Sequence, residues 1–242
     1  MRIISSEVIL ACLQNGEINL EGQFLWGSNH TLLTQVKQNE LTLKAVYKPV
    51  QGERPLWDFP SDTLAGREVA AYLVSRAIGW DFVPLCVYRG DGASGPGSLQ
   101  LYIEHDPEYH YFTFSSEHRQ RLRQVALFDD LVNNTDRKGG HLLIDPEDKL
   151  WLIDHGICFH AIPKLRTVIW DFAGQSISER DCQDLKDFRK LLEPQSALVE
   201  QLAQYLTVQE IQALHERNDN LIAAGRFPSP TDSQRSYPWP PV

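Results

Sequence analysis

The sequence predicts an α+β protein of two lobes, the first built on a five-stranded antiparallel sheet with one helix, the second mainly helical. Three observations carry this. Within residues 1–105, five segments have strand character and one has a strong helical stripe. From about residue 115 onward, long stretches of helical period dominate. A short apolar hairpin interrupts those helices near residue 145.

Residues 5–16, "SSEVILACLQNG", read as a short amphipathic helix closed by Asn15-Gly16. Strand-like segments follow at 19–26, 31–38 and 41–48. Their joints are "GSNH" (27–30) and the tight pair Asn39-Glu40, so alternation and short joints predict a meander. Residues 51–62 form a loop with two prolines. A helix is expected over 63–79, with Leu64, Val69, Tyr72, Leu73 and Ala77 as its apolar stripe. Two further strands are expected at 82–89 and 98–105, joined by the Gly-rich stretch 90–97. One long helix is expected over 115–134, then helices over 179–193, 195–206 and 207–224. The last opens with the capping box Thr207-x-x-Glu210. The Pro-rich tail is expected to lack regular secondary structure. The expected division is therefore 1–105 for the first lobe, 106–226 for the second and 227–242 for the tail.

Composition removes several function classes. The chain has 242 residues, a net charge of −9 and a pI near 5.3. That balance argues against a nucleic-acid partner, which calls for a basic face. It also disfavours broad adsorption to anionic membranes. Cys12, Cys86, Cys158 and Cys182 are scattered, with no CxxC pair, so reduced thiols are expected rather than a zinc site. The apolar run near the N-terminus is too short and interrupted for a signal peptide or membrane span. A cytoplasmic monomer with no stable membrane insertion is expected. GxSxG, HExxH and GxxxxGK[ST] motifs are absent.

The chemistry concentrates in "LVNNTDRKGGHLLIDPEDKLWLIDHG", residues 131–156. "HLLI" (141–144) and "LWLI" (150–153) are strand segments, and "DPEDK" between them is turn chemistry. Folding back brings Asp136 and Asp154 to the same end of the ribbon. Two close carboxylates repel unless a cation lies between them or one holds a proton. Magnesium resolves this where phosphate is present. The competing reading makes both residues loop caps on a surface hairpin.

"NNTDRKGGHLLI…LWLIDHG" resembles the catalytic and metal loops of the phosphatidylinositol 3-/4-kinase superfamily, and in particular a small bacterial branch of it. The type II 4-kinases, with an "NTDRG" loop, offer the nearest comparison. The resemblance covers roughly residues 20–175. It implies a protein-kinase-like fold in which ATP binds between two lobes with magnesium. It implies Asp136 as the catalytic residue and Asp154, of Asp154-His155-Gly156, as a metal ligand. His141 falls at the second metal position, where related kinases have asparagine. Imidazole suits softer metals, so manganese or a hydrogen-bonding role for His141 stands beside magnesium ligation. Lys48 in "AVYKP" would hold the nucleotide's phosphates, and Glu68 in "GREVAAY" would orient it. Gly27, Ser28 and Asn29 fall where the phosphate-covering loop belongs, with an ordinary hairpin loop as the alternative. Glu104 and His105 fall in the linker that would carry adenine. Arg137 and Lys138 are candidates to balance phosphate charge, and Arg119 and Arg123 read as a solvated helix face. Lys164 and Arg166 lie in the segment where this fold keeps its activation loop, and Trp170 reads as structural.

The implied reaction is transfer of the γ-phosphoryl group of ATP to a hydroxyl acceptor, whether lipid, protein or small molecule. AMP transfer on the same fold and a nucleotide-binding pseudokinase or scaffold are the alternatives. The departure at His141 is the feature that raises the pseudokinase reading.

Overall fold

Alternating burial along the second and third strands sets the first layer. The computed structural model describes residues 4–23, 31–92, 94–231 and 235–242. Helix α1 (Ser6–Asn15) precedes strands β1 (Glu17–Gln23), β2 (Leu32–Gln38) and β3 (Leu41–Pro49). Thr34 and Val36 on β2, and Ala45 and Tyr47 on β3, turn inward onto Cys12 and Leu13 of α1. Because strand side chains alternate, Lys48 takes the opposite face. Helix α2 (Leu64–Ala77) follows, then β4 (Cys86–Gly92) and β5 (Gly95–Leu101). The five strands pair antiparallel in the order β1-β2-β3-β5-β4. This is the predicted sheet and helix.

The β4–β5 hairpin corrects one boundary. The Gly-rich stretch is mostly strand, and the two strands start later and earlier than their apolar residues suggest. The glycines serve close approach. A Cβ on Gly97 would run into the Lys48 carbonyl oxygen and the Tyr47 ring, and one on Gly92 into the Tyr47 hydroxyl. Glycine therefore read as a loop signal where it permits packing.

The second lobe begins with α3 (Ser116–Gln120) and α4 (Arg123–Leu131), where one continuous helix was expected. The break lies at Arg121 and Leu122. Leu122 is fully buried there, while the Arg121 guanidinium reaches out to the Asp148 carboxylate at 3.0 Å and to its carbonyl at 2.6 Å. The hairpin is present as β6 (Leu142–Ile144) and β7 (Leu150–Leu152), with Leu143 opposite Trp151. Asp145 closes its turn, accepting from the Glu147 and Lys149 amides and from the Trp151 indole. Helices α5 (Glu179–Leu191), α6 (Ala197–Leu202) and α7 (Val208–Ala224) complete the lobe.

A large apolar core runs from α2 through α4, the hairpin and α5 to α7, while a smaller one lies between the sheet and α1. The described residues of the tail contain no helix or strand, yet they pack: Phe227 is buried, and the Thr167 and Gly139 amides donate to the Ser236 and Pro241 carbonyls. Cys12, Cys86 and Cys158 are buried free thiols, and Cys182 is partly buried and free. Among the described residues, no helix is long and apolar enough to cross a membrane.

The expected capping box is formed. Thr207 Oγ1 accepts from the Glu210 amide at 3.3 Å, and Glu210 Oε2 accepts from the Thr207 amide at 2.9 Å. Thr207→Ala should lower stability by about 1 kcal/mol. In thermal unfolding that is a drop of roughly 2–4 °C for a chain of this size. An unchanged midpoint would show that the box does not hold the start of α7.

Candidate active site

Lys48 sits on β3 opposite Ser98 of β5, on the face turned towards α2. Its Nζ pairs with Glu68 Oε1 from α2 and lies 2.9 Å from Asp154 Oδ1. Glu68 is almost fully buried, and its Oε2 accepts from the His155 amide at 3.0 Å. Three elements far apart in sequence thus converge on one ammonium group. Burial alone would lower the Lys48 pKa, but the Asp154 and Glu68 carboxylates outweigh it and hold the pKa above its ordinary value. Lys48 in turn holds the Asp154 carboxyl well below the usual carboxylate range, against the effect of burial.

Asp154 follows β7 and has φ +63°, a left-handed backbone that aspartate tolerates better than most residues. Its side chain is half exposed, so one face stays open to a ligand. His141 lies at the same end of the hairpin ladder, just before β6, with Nε2 3.2 Å from Asp154 Oδ2. Its Nδ1 accepts from the Lys138 amide at 3.4 Å, which places the proton of the neutral ring on Nε2, facing Asp154. Burial lowers the His141 pKa to about 4, a shift that Asp154 partly opposes.

Asp136 is positioned by Asn134, whose Oδ1 accepts from the Asp136 amide at 2.9 Å. Lys138 Nζ stands 3.3 Å from Asp136 Oδ2. Burial raises the Asp136 pKa to about 6. Lys138 opposes this shift, and the Asp154 charge adds to it. Asp136 and Asp154 therefore sense each other, as two carboxylates at one end of a ribbon should.

Arg137 does not do what its place beside Asp136 suggested. It is fully buried and turned away from the cleft. Its Nε donates to both Asp129 oxygens at 3.0 and 3.1 Å. Nη1 reaches the His141 and Ile153 carbonyls at 3.3 and 3.0 Å, and Nη2 lies 2.8 Å from His155 Nε2. One guanidinium thereby ties α4, the loop after Asp136, both strands at the open end of the hairpin and the Asp154 loop together. Adjacency in sequence identified the residue but not its direction; the acidic partner on the preceding helix was the available signal.

The other expected residues fall elsewhere. Gly27, Ser28 and Asn29 lie outside the described residues. Glu104 pairs with Lys44 at 2.8 Å on an exposed surface, and His105 Nδ1 lies 2.8 Å from the Ile103 carbonyl oxygen, in an irregular segment after β5. Arg119 is not simply solvated: it lies over the Tyr111 ring and 3.9 Å from Asp171. Arg123 stacks against Phe172 and Phe227. Lys164 pairs with Asp58 at 2.7 Å, joining the segment after Asp154-His155-Gly156 to the loop before α2. Trp170 donates to the Ser236 carbonyl at 3.2 Å, a structural contact with the tail. The sequence reading missed Arg67, which lies fully buried next to Glu68.

Among the described residues, no three His, Cys, Asp or Glu side chains converge closely enough to hold a metal by themselves. Magnesium does not require such a cage where phosphate is present, because it binds one or two carboxylates together with phosphate oxygens and water. The half-exposed Asp154 carboxylate fits that mode.

No protein-family model matches the chain. Protein Rv2133c of Mycobacterium tuberculosis is 37% identical over 265 aligned residues, covering 95% of this chain and 94% of that protein. The chain belongs to the Rv2133c family. This member also shares 31% identity over 110 residues with phosphatidylinositol 4-kinase gamma 4 of Oryza sativa subsp. japonica, a match spanning 38% of this chain and 20% of the rice protein. In three dimensions the Rv2133c-family chain is similar to a hydra Fam20 solved with sugar, with a TM-score of 0.55 at 13% identity, covering 92% of this chain and 89% of that one. It is also similar to the Helicobacter pylori proinflammatory kinase CtkA, with a TM-score of 0.50 at 10% identity, covering 89% and 94%. At these identities the likeness establishes an atypical kinase-like fold.

The raised Asp136 pKa has a consequence for stability. The folded chain binds this proton more tightly than the unfolded chain, so ionised Asp136 costs stability above about pH 6, and the cost is absent below about pH 4. Asp136→Asn should therefore be more stable than the parent at pH 7.5, by at most about 3 kcal/mol. The gap should close as the pH falls to 4. Denaturant titrations at the two pH values check this; a constant difference would contradict it.

Proposed function

We propose that the protein is an ATP-dependent phosphotransferase that moves the γ-phosphoryl group to a hydroxyl acceptor. The observation that carries this reading is the convergence of Lys48, Glu68 and Asp154 on one point, with Asp136 on the adjoining loop. Lys48 would hold the nucleotide's phosphates, and Glu68, itself fixed by the His155 amide, would orient Lys48. Asp136 would receive the acceptor's proton or position its hydroxyl. A carboxylate with a pKa near 6 is ionised at neutral pH yet basic enough for that role.

Asp154 would hold magnesium together with phosphate oxygens, and the metal when bound would neutralise charge on the transferring group. His141 would orient Asp154 through its Nε2 proton. Direct ligation of manganese by His141 is the competing role. Gly27, Ser28 and Asn29 would cover the phosphates, and the backbone around Glu104 and His105 would meet adenine. The lobes would divide as 1–105 and 106–226, with the cleft between them and 227–242 as a tail. A pseudokinase is the second reading, supported by the His141 geometry, which spends both ring nitrogens within the protein.

With ATP labelled at the γ position, transfer to an added or endogenous hydroxyl is the expected outcome. Label retained only from the α position would mark AMP transfer, and binding without turnover a pseudokinase. Mg-ATP at 100 times its dissociation constant should stabilise the parent by roughly 2.7 kcal/mol in thermal unfolding. Asp154→Ala should lose that metal-dependent shift. Asp136→Ala should keep it and lose transfer by about 100-fold or more. Equal loss of nucleotide affinity in both variants would overturn the division of roles.

A further inference from the structure

Glu68 can serve Lys48 only if α2 stands at one rotation and one height. A helix turns 100° and rises 1.5 Å per residue, so a slip of one residue would carry Glu68 away from both its partners. The residue beside it supplies a fastening. Arg67 is fully buried, although arginine is among the residues least often found inside. Its Nη2 donates to Glu210 Oε1 of α7 at 2.5 Å, and its Nη1 to the Cys158 carbonyl at 2.8 Å, four residues past Asp154. Its Nε reaches Thr63 Oγ1 at 3.3 Å, and its guanidinium lies over the Phe59 ring at 4.9 Å.

Glu210 divides its carboxylate. Oε2 closes the capping box of α7 by accepting from the Thr207 amide and hydroxyl, and Oε1 takes Arg67. The latch is thus anchored to the first turn of α7 rather than to a free side chain. A second observation places α2 against the same region. A Cβ on Gly66 would come within 3.2 Å of the Tyr205 ring, so the first turns of α2 press on the connection between α6 and α7. Stability alone is a weak explanation for the pair, because buried ion pairs often add no more than well-packed apolar residues of the same volume.

We infer that Arg67 and Glu210 form a latch between α2 and α7 that keeps Glu68 on Lys48 and the His155 amide, making Arg67 a positioning residue of the cleft. The inference deepens the phosphotransferase reading, but its first test does not depend on that reading. The His155 amide donates to Glu68 Oε2, so its hydrogen exchange reports whether α2 is in place. The Ile153 amide donates to the His141 carbonyl at 3.1 Å, across the open end of the hairpin and not to α2 or its flanking loop, and serves as the internal reference.

The variants are Arg67→Met, Glu210→Gln and the double. Glutamine keeps an acceptor for the Thr207 cap, and the double leaves no buried charge alone should a single variant fail to fold. Ser196→Ala, which removes the N-cap hydroxyl of α6, is the control for general destabilisation. Measured by NMR well below the unfolding midpoint, His155 protection should fall about tenfold or more in the latch variants while Ile153 protection holds. The double should lose no more than the worse single, since all three break one contact. Ser196→Ala should not separate the two amides. Unchanged His155 protection, or a fall matched at Ile153, overturns the latch.

In the activity arm, kcat for γ-phosphoryl transfer should fall about tenfold or more in folded latch variants and hold in Ser196→Ala. Transfer by the latch variants at the parent's rate overturns the positioning role. A parent that neither binds nor turns over Mg-ATP overturns the phosphotransferase reading, while the exchange arm still decides the latch.

Discussion

Lys48 between two carboxylates is the constraint on which the cleft depends. A buried ammonium is costly unless it is paired and hydrogen-bonded. Glu68 and Asp154 meet that need from opposite sides. Each partner brings its own requirement. Glu68 needs α2 at a fixed rotation, and Asp154 needs the left-handed turn after β7. Strand alternation on β3 places Lys48 on the right face, because Ala45 and Tyr47 are committed to the core beneath α1. One charge triad thus constrains a strand, a helix and a loop at once.

The second layer of the site is built from buried arginines. Arg137 holds the loop after Asp136, the open end of the hairpin and the Asp154 loop around Asp129. Arg67 reaches from α2 to α7 and to the loop beyond Asp154. A planar fork of donors suits such junctions, since several backbone carbonyls and a carboxylate can share one side chain. Asp136 and Asp154 are left as partly exposed carboxylates, and their mutual repulsion contributes to the raised pKa of Asp136.

The parts of the fold and site set by local chemistry were legible in the sequence. The hairpin and its aspartates followed from turn residues and apolar alternation, and the α7 capping box from Thr207 and Glu210. The paired loops around Asp136 and Asp154 supplied the resemblance to kinases, and Lys48 and Glu68 followed in the order it implies. Features set by direction or long-range packing were not legible. Arg137 and Arg67 are charged residues that point inward, which no spacing rule reveals. The glycines of the β4–β5 hairpin read as loop because close packing and chain freedom use the same residue. At the break between α3 and α4, Arg121 pairs with Asp148, 27 residues away, a partner that local spacing does not reveal. The tail has the composition of an unstructured segment, yet its carbonyls meet the Gly139 and Thr167 amides.

A crystal structure of the parent with magnesium and a non-hydrolysable ATP analogue tests the central claim most directly. The account predicts the analogue's phosphates between Lys48 and Asp154. A magnesium ion should lie about 2.0–2.1 Å from an Asp154 oxygen, with Lys48 still on Glu68 and Asp136 facing the γ-phosphate. An analogue bound away from the cleft, or a cleft in which the Lys48–Asp154 pair stays closed with no nucleotide at saturating concentration, would contradict it.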